Sequence, residues 1–310
     1  MSREASNSPS WVVIVNPVSA NGRTGRQWSR TENLLRPLWP PFEVWPTMHP
    51  GHAQELAQKA VDLGFSTIAV HGGDGTFNEV VNGLLIRSAD NIPLVFLPKG
   101  TGADLVRTLG ISHSLSKAAR QALQGTAQFI DVGQVHFTDL EGKPVQRYFV
   151  NVTDVGFGGD LVRYVNSHSK WLGGKLSFLK GVLITLFRYQ NKPVRITLDG
   201  KEELETRASS VVVANGKYFG GGMWVSPEAQ LNDSLFELVV IGDVSKIDVL
   251  TNISRLYRGT IAQHPKVKTF QAGTIELTSE EEVLIDLDGE LVGRLPARFQ
   301  ILPKKISVVF

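Results

Sequence analysis

Six consecutive residues, His71-Gly72-Gly73-Asp74-Gly75-Thr76, carry the strongest chemical signal in the chain. They follow a short apolar run and precede a helical one. In that setting glycine backbones can approach a phosphate and turn their N–H groups toward it, beside a positive helix N-terminus. Asp74 adds a hard oxygen that can hold Mg²⁺, or a metal-bound water, against phosphate oxygens. A tight turn with an Asx cap explains an isolated Gly-x-Gly as well; the full string in a strand–turn–helix context favours phosphate handling. Two more strand-end loops offer similar chemistry: Asn16-Pro17-Val18-Ser19-Ala20, and Lys99-Gly100-Thr101-Gly102-Ala103-Asp104. Each alone is ordinary turn chemistry. Three together could converge on one nucleotide at the carboxyl edge of an open α/β sheet. None of them is a Walker-type GxxxxGK[ST] loop.

A second constellation lies far along the chain. Ile285-Asp286-Leu287-Asp288-Gly289-Glu290 gathers three carboxylates near a turn. Phosphoryl transfer to an alcohol needs a group to accept or orient the hydroxyl proton, and beyond that mainly positioning and charge neutralisation. In the strand leading in, Asp286 and Asp288 are expected to share a face. A solvated acidic hairpin is the plain alternative. Between Leu161 and Leu198 there is no acidic residue, while Arg163, Lys170, Lys175, Lys180, Arg188, Lys192 and Arg195 alternate with aromatic residues. Leu172, Leu176, Leu179, Leu183 and Phe187 recur at helical spacing. Alone, this pattern fits a packed helix with a solvated basic rim. In a protein whose substrate sits in a bilayer, it would fit an anionic membrane surface.

The elements that must hold these groups fall into two regions. Up to about residue 131, apolar runs at Trp11–Val15, Glu43–Trp45, Thr67–Val70 and Pro93–Leu97 alternate with helical spacing at 24–38, 51–63, 76–85 and 115–124. That alternation predicts a parallel α/β sheet covered on both faces. Beyond it, β-rich runs bounded by Gly, Asp, Asn or Pro dominate, at 132–137, 147–151, 194–198, 208–214, 235–241, 274–277, 283–287 and 299–302. Helices there are expected near 160–166, 171–189 and 247–257. The reading is an α/β nucleotide-binding domain over 10–131 and a mainly β sandwich over 132–302.

The 310 residues carry a net charge of +2 and no cysteine. Whole-molecule attraction to polyanions is not expected, and no nucleic-acid recognition motif accompanies the local basic residues. Disulfides and thiolate chemistry are excluded. The histidines show no metal-binding spacing. The first ten residues lack the apolar core of a signal peptide. The longest apolar stretch, Leu176–Phe187, is broken by Lys180 and too short to span a bilayer. A cytoplasmic protein is expected, peripherally membrane-associated during turnover.

Several motifs in order give a more specific reading. Asn16–Ser19, Gly72–Leu84, Leu97–Gly110, Asp131-Val132-Gly133, Asn151–Gly158, Val213–Leu235 and Asp288-Gly289-Glu290 resemble the diacylglycerol kinase catalytic family, in its bacterial lipid-kinase branch. The resemblance implies an N-terminal domain like those of NAD kinases and phosphofructokinases, a β-sandwich second domain, and a last strand, within 303–310, returning to the first. It implies ATP contacts from Asn16, Pro17, Val18, Ser19, Ala20, Thr47, Gly73, Asp74, Gly75, Thr76, Phe77, Asn78, Glu79 and Thr101. It implies an acidic Mg²⁺ network of Asp74, Asp104 and Asp131, and a second Mg²⁺ held by Asp233 with the carbonyls of Gln230 and Leu235. Glu290 would accept the proton, with Asp288 beside it.

The departures from the family pattern are local. Ala20 stands where the family has glycine, with Asn21 next and Arg23 displaced. Ala103 replaces an asparagine, and Asn232-Asp233-Ser234 replaces Asp-Asp-Gly. The expected activity is ATP- and Mg²⁺-dependent phosphorylation of a lipid hydroxyl, diacylglycerol or a relative. Two alternatives stay open: a kinase of a soluble acceptor such as NAD, and a non-catalytic nucleotide or lipid sensor on the same fold. The sequence also leaves a homodimer open.

Overall fold

Val12, Val13, Ile14, Ile68, Ala69 and Val70 are all fully buried. Runs of this kind, apolar on both faces, form strands only where helices cover both sides of a sheet. The computed structural model describes residues 10–100, 102–168 and 175–310, with 175–179 as backbone only. It divides into two units, one of residues up to Ile130 together with Lys305–Phe310, the other Asp131–Lys304.

The first unit contains β1 (Trp11–Val15), α1 (Arg23–Leu35), β2 (Phe42–Pro46), α2 (His52–Asp62), β3 (Thr67–Gly72), α3 (Asp74–Ile86), β4 (Leu94–Pro98), α4 (Asp104–Leu109) and α5 (Leu115–Gln124). The strands lie in the order β2-β1-β3-β4, and every pairing is parallel. Val308 and Val309 extend the sheet by pairing parallel with Leu94 and Val95. Lys305 secures that segment through an ion pair to Asp90 at 2.7 Å.

The second unit begins within β5 (Ala127–Asp139) and continues through β6 (Pro144–Phe149), β7 (Val152–Gly156), α6 (Phe157–His168) and α7 (Lys175–Arg188). Then come β8 (Lys192–Leu198), β9 (Glu202–Ala208), β10 (Ser210–Ala214), β11 (Tyr218–Phe219), β12 (Met223–Trp224) and β13 (Phe236–Ile241). It ends with α8 (Lys246–Arg258), β14 (Val267–Ala272), β15 (Thr274–Thr278), β16 (Leu284–Leu287) and most of β17 (Glu290–Val309). One antiparallel run is β14-β13-β10-β7-β16-β17; a second joins β17, β15, β8 and β9, and β5 pairs with β6 and β17. Side chains from both runs meet in one core, with Phe149, Phe236 and Phe299 among the largest. β10 is buried on both faces: Val211 and Val213 enter this core, while Val212 and Ala214 enter a smaller one on the opposite side. That alternation is the period-2 signature of a strand between two apolar layers. Both the α/β first region and the β-sandwich second region expected from sequence are present.

Candidate active site

In the first unit, register sets the strand ends level. Val15 lies against Pro46 and His71, and His71 against Leu97. The loops after β1, β2, β3 and β4 therefore leave the sheet side by side. Asn16 ties two of them together: its Nδ2 donates to Thr76 Oγ1 at 2.8 Å, and its Oδ1 accepts from the Val18 amide at 3.2 Å. Ser19 Oγ donates to the Asn16 carbonyl at 2.9 Å. Thr47 is buried, and its amide donates to the Val15 carbonyl at 2.8 Å. Gly73 and Gly100 touch backbone to backbone: a Cβ on Gly100 would sit 3.1 Å from Gly73 Cα. Two loops without side chains at the start of α3 make a cradle of exposed backbone, the form a phosphate site takes.

Three residues that the resemblance puts at the nucleotide make contacts within the first unit. Phe77 is fully buried and stacked on Phe96, and its amide bonds the Gly73 carbonyl, so it positions the loop from the core. Glu79 accepts from the amides of Gly51 and Ala53, both at 3.1 Å, which makes it a carboxylate cap on the N-terminus of α2. The Asn78 carbonyl accepts from Asn82 Nδ2. Thr101 lies outside the described residues.

The family departures at 20 and 103 both fall on left-handed backbone, at φ 52 and φ 53. Glycine and asparagine adopt that conformation readily, whereas alanine pays about 1–2 kcal/mol for it. Ala20→Gly is therefore expected to raise stability by about 0.5–1 kcal/mol after the ~0.4–1 kcal/mol entropic loss of adding a glycine. A higher Tm without lost activity would be the readout; a lower one would show that the loop needs the alanine methyl.

Asp74 is the first residue of α3 and reaches the start of α4. Its Oδ2 accepts from the Asp104 amide at 3.0 Å, while its Oδ1 is buried with no hydrogen-bond partner among the described residues. Burial pushes this carboxyl up to about 6, against the pull of the Asp104 and Leu105 amides. Asp104 accepts from Arg107 Nη1 at 2.8 Å. A Cβ on Gly102 would lie 3.4 Å from Asp74 Oδ2 and 3.5 Å from Asp104 Oδ2, so the two carboxylates converge there. A buried, unpartnered carboxylate oxygen beside a second carboxylate is a hard-oxygen donor set, and it fits Mg²⁺. Asp131 belongs to the second unit, where its Oδ2 accepts from the Ser234 amide and its Oδ1 from the Lys304 amide, both at 2.7 Å. It fastens two chain segments.

In the second unit the acidic turn differs from the expected strand. β16 stops at Leu287, and a register shift between Ile285 and Asp286 precedes it. Asp288 takes φ 49 in the turn instead of sharing a strand face with Asp286. Its Oδ1 accepts from the Val152 amide at 2.9 Å and its Oδ2 from the Val150 amide at 3.3 Å. Asp288 thus braces the turn, and Glu290 emerges beyond it, exposed, as the first residue of β17. Arg147 Nη1 lies 3.3 Å from Glu290 Oε2. Sequence reasoning missed Arg147, because cross-strand neighbours cannot be read without the register of β5 and β6. Asp233 Oδ1 accepts from the Leu235 amide at 3.1 Å, which is an Asx turn.

Beneath the turn lies a buried acid pair, of which sequence reading names Asp286 but not Asp154. Asp154 and Asp286 are cross-strand neighbours on β7 and β16. Asp154 Oδ2 accepts from Ser210 Oγ at 3.2 Å and from the Gly158 amide at 3.1 Å. Oδ1 of each acid is buried without a partner among the described residues. Burial raises Asp154 to about 7 and holds Asp286 well above the carboxylate range, the Asp154 charge adding to the latter. In the window from about 4 to 7 the folded state keeps a proton that the unfolded state has lost. Stability therefore falls as pH rises through that window and levels off above it. Asp154→Asn should flatten the fall and raise Tm at pH 8; a melt series showing the same slope in both proteins would refute this.

His49 and His52 stack at 4.7 Å, and with Glu55 they bring three ligand atoms within 4.8 Å of one another, a proximity the sequence reading did not expect. His52 Nδ1 already accepts from the Met48 amide. Among the described residues no helix is long and apolar enough to cross a membrane.

The glycine loops thus belong to the first unit and the acidic turn to the second. Residues 10–135 match the diacylglycerol kinase catalytic domain, and 152–310 match the YegS C-terminal NAD kinase beta sandwich-like domain. The chain is 33% identical over 263 residues to the diacylglycerol kinase of Bacillus subtilis (strain 168), covering 84% of this chain and 82% of that one. It is 29% identical over 298 residues to the Probable lipid kinase YegS of Escherichia coli, covering 95% and 94%. A crystal structure of a diacylglycerol kinase from Bacillus anthracis str. Sterne superposes with a TM-score of 0.71 at 23% identity, over 97% and 96% of the two chains, which speaks to the fold alone.

The chain belongs to the diacylglycerol kinase-like lipid kinase family. It is a kinase acting on a lipid alcohol, which decides against the soluble-acceptor and sensor alternatives. Membership of a kinase family implies ATP as the phosphate donor.

Proposed function

We propose that the chain transfers the γ-phosphate of ATP, with Mg²⁺, to the free hydroxyl of diacylglycerol or a closely related membrane lipid. The observation that carries the Mg²⁺ reading is Asp74, whose Oδ1 is buried without a partner among the described residues and whose Oδ2 converges with Asp104 Oδ2 on Gly102. Asn16, Pro17, Val18, Ser19, Ala20, Thr47, Gly73, Gly75, Thr76 and Thr101 hold the nucleotide. Asp74 and Asp104 hold the cation, which when bound neutralises charge on the phosphate oxygens. Glu290 takes the proton of the acceptor hydroxyl as its oxygen bonds to phosphorus and the bond to the β,γ-bridging oxygen breaks. The products are a phospholipid, ADP and one proton. Arg147 holds the Glu290 carboxylate in place, and Asp288 fixes the turn that presents it.

The test is transfer of label from γ-labelled ATP to diacylglycerol in mixed micelles. Labelled lipid that disappears with EDTA and returns with added Mg²⁺ is expected; transfer indifferent to EDTA would end the Mg²⁺ reading. Label accepted by another lipid class but not by diacylglycerol would correct the substrate.

Docking to an anionic surface is part of the same proposal. Within 163–195, Arg163 pairs with Asp160 and Glu282, and Arg195 with Glu205. Lys180 and Arg188 are exposed, with no ion pair found among the described residues. Lys170, Trp171 and Leu172 lie outside the described residues, as do the side chains of Lys175, Leu176, Phe178 and Leu179. Reversing Lys180 and Arg188 to glutamate should reduce sedimentation with phosphatidylglycerol vesicles; undiminished binding would remove this segment from the interface.

A further inference from the structure

Helix α2 is preceded by a turn that folds His49 back over its first residues. Pro50 and Gly51, the latter at φ 82, are the central pair that a type II turn selects. The His52 amide closes the turn on the His49 carbonyl at 3.2 Å. Glu79 holds it from α3, accepting from the amides of Gly51 and Ala53. His52 and Glu55 then stand three residues apart on one face of the helix. His49 lies beside them, its ring stacked on that of His52 with 22° between the planes. One ligand atom from each of the three lies within 4.8 Å of the other two, and no other such trio is found among the described residues.

The state of each donor suits a cation. His49 Nδ1 lies 3.0 Å from the Pro50 carbonyl. A carbonyl only accepts, so Nδ1 carries the proton and Nε2 keeps its lone pair. Metal-ligating histidines are commonly held this way, the second nitrogen donating to a carbonyl. His52 Nδ1 accepts from the Met48 amide, a bond at the surface. A metal on Nδ1 displaces that amide, and a metal on Nε2 puts a proton on Nδ1. Either way water replaces the bond at the exposed Met48 amide. Glu55 has no ion pair or hydrogen bond among the described residues. Lys59, one helical turn on, lies over the Trp45 ring at 4.8 Å instead of pairing with it.

Two imidazoles and a carboxylate are a donor set for zinc, whereas Mg²⁺ favours oxygen alone. Tetrahedral donors ~2.0–2.1 Å from zinc lie about 3.4 Å apart, so the three atoms must close by at most about 1.4 Å. His49 and Glu55 are exposed, and side-chain rotation supplies that movement.

We propose that His49, His52 and Glu55 bind a divalent cation of the zinc class, at a site separate from that of Mg²⁺. The ion pins the loop after β2 to the first turn of α2. That loop begins at Thr47, one of the residues proposed to hold the nucleotide, so a bound cation fixes one edge of the nucleotide cradle.

Calorimetric titration of ZnCl₂ into the full chain, prepared without a histidine tag and stripped of metal, tests the assignment. One zinc ion should bind the wild-type chain even in a large excess of Mg²⁺. His49→Ala and Glu55→Gln each remove one donor from an exposed position. Each should weaken binding at least about tenfold, as much as losing a group behind a ligand costs. Zinc should also raise the wild-type melting temperature, as a ligand of the folded state does, and leave that of His49→Ala unmoved. Asp74→Asn should keep the wild-type zinc affinity. Absent zinc binding, binding abolished by Mg²⁺, or binding undiminished in His49→Ala and Glu55→Gln would overturn the site. None of these readouts involves phosphate transfer, so the site stands or falls apart from the kinase reaction.

Discussion

Glu290→Gln is expected to lower phosphate transfer by about 10²- to 10⁴-fold, the usual contribution of a positioned proton acceptor. The substitution keeps the size and shape of the side chain and removes its ability to take a proton. It should leave the fold alone, because Glu290 is exposed and its contact with Arg147 is a 3.3 Å surface pair at about half exposure on each side. Pairs of that kind contribute little to stability, about 0–1 kcal/mol. The loss should appear in kcat with little change in KM for ATP, since the loops proposed to hold the nucleotide belong to the other unit. Equal kcat in the two proteins would remove Glu290 from the reaction and turn attention to other oxygens around the turn.

Asp74→Asn should cost about 10²- to 10³-fold in kcat, the scale of losing one preorganised electrostatic partner of a developing charge. Its structural consequence should be small or favourable. The amide oxygen of Asn can still accept from the Asp104 amide, so the start of α4 keeps its anchor. Burial already disfavours the Asp74 charge, so the neutral side chain relieves a cost. An inactive variant with unchanged or raised Tm is the expected pair of results. Full activity would mean that the orphaned Oδ1 serves no cation.

Much of this architecture was legible because local and global signals agree. The strand-end loops of the first unit follow four apolar runs, each close to its observed length, and α5 matches its expected span. Where reading failed, competing physics is identifiable. β9 reads Glu-Glu-Leu-Glu-Thr-Arg-Ala and pairs with β8 alone, so an edge position let charges replace the apolar alternation. β7 gives no strand signal in the sequence because Asp154 and a terminal glycine interrupt it, although all five of its residues are buried. α4 is six residues long and hidden in a glycine-rich loop. α3 begins two residues earlier than periodicity suggested, which places Asp74 in its first turn.

At the candidate site, residue types were readable but assignments were not. Nothing in the sequence says that Glu79 serves α2, that Asp288 serves the amides of Val150 and Val152, or that Phe77 belongs to the core. Those facts depend on which backbone amides come within reach once the chain has folded. Resemblance points to residues; it does not say whether they touch the substrate or hold a neighbour that does.

The passage of the chain from the first unit into the second and back again sets an order on biosynthesis. β4 gains its last partner only from Val308 and Val309, which a ribosome makes after the whole of the second unit. Until then the nascent first unit carries an open edge on β4, with a row of unmatched backbone donors and acceptors that invites pairing with another chain. Domains commonly finish folding in the order they are made. Here the first-made unit waits for the last-made strand, and β4 is where a stalled or truncated nascent chain would begin to aggregate.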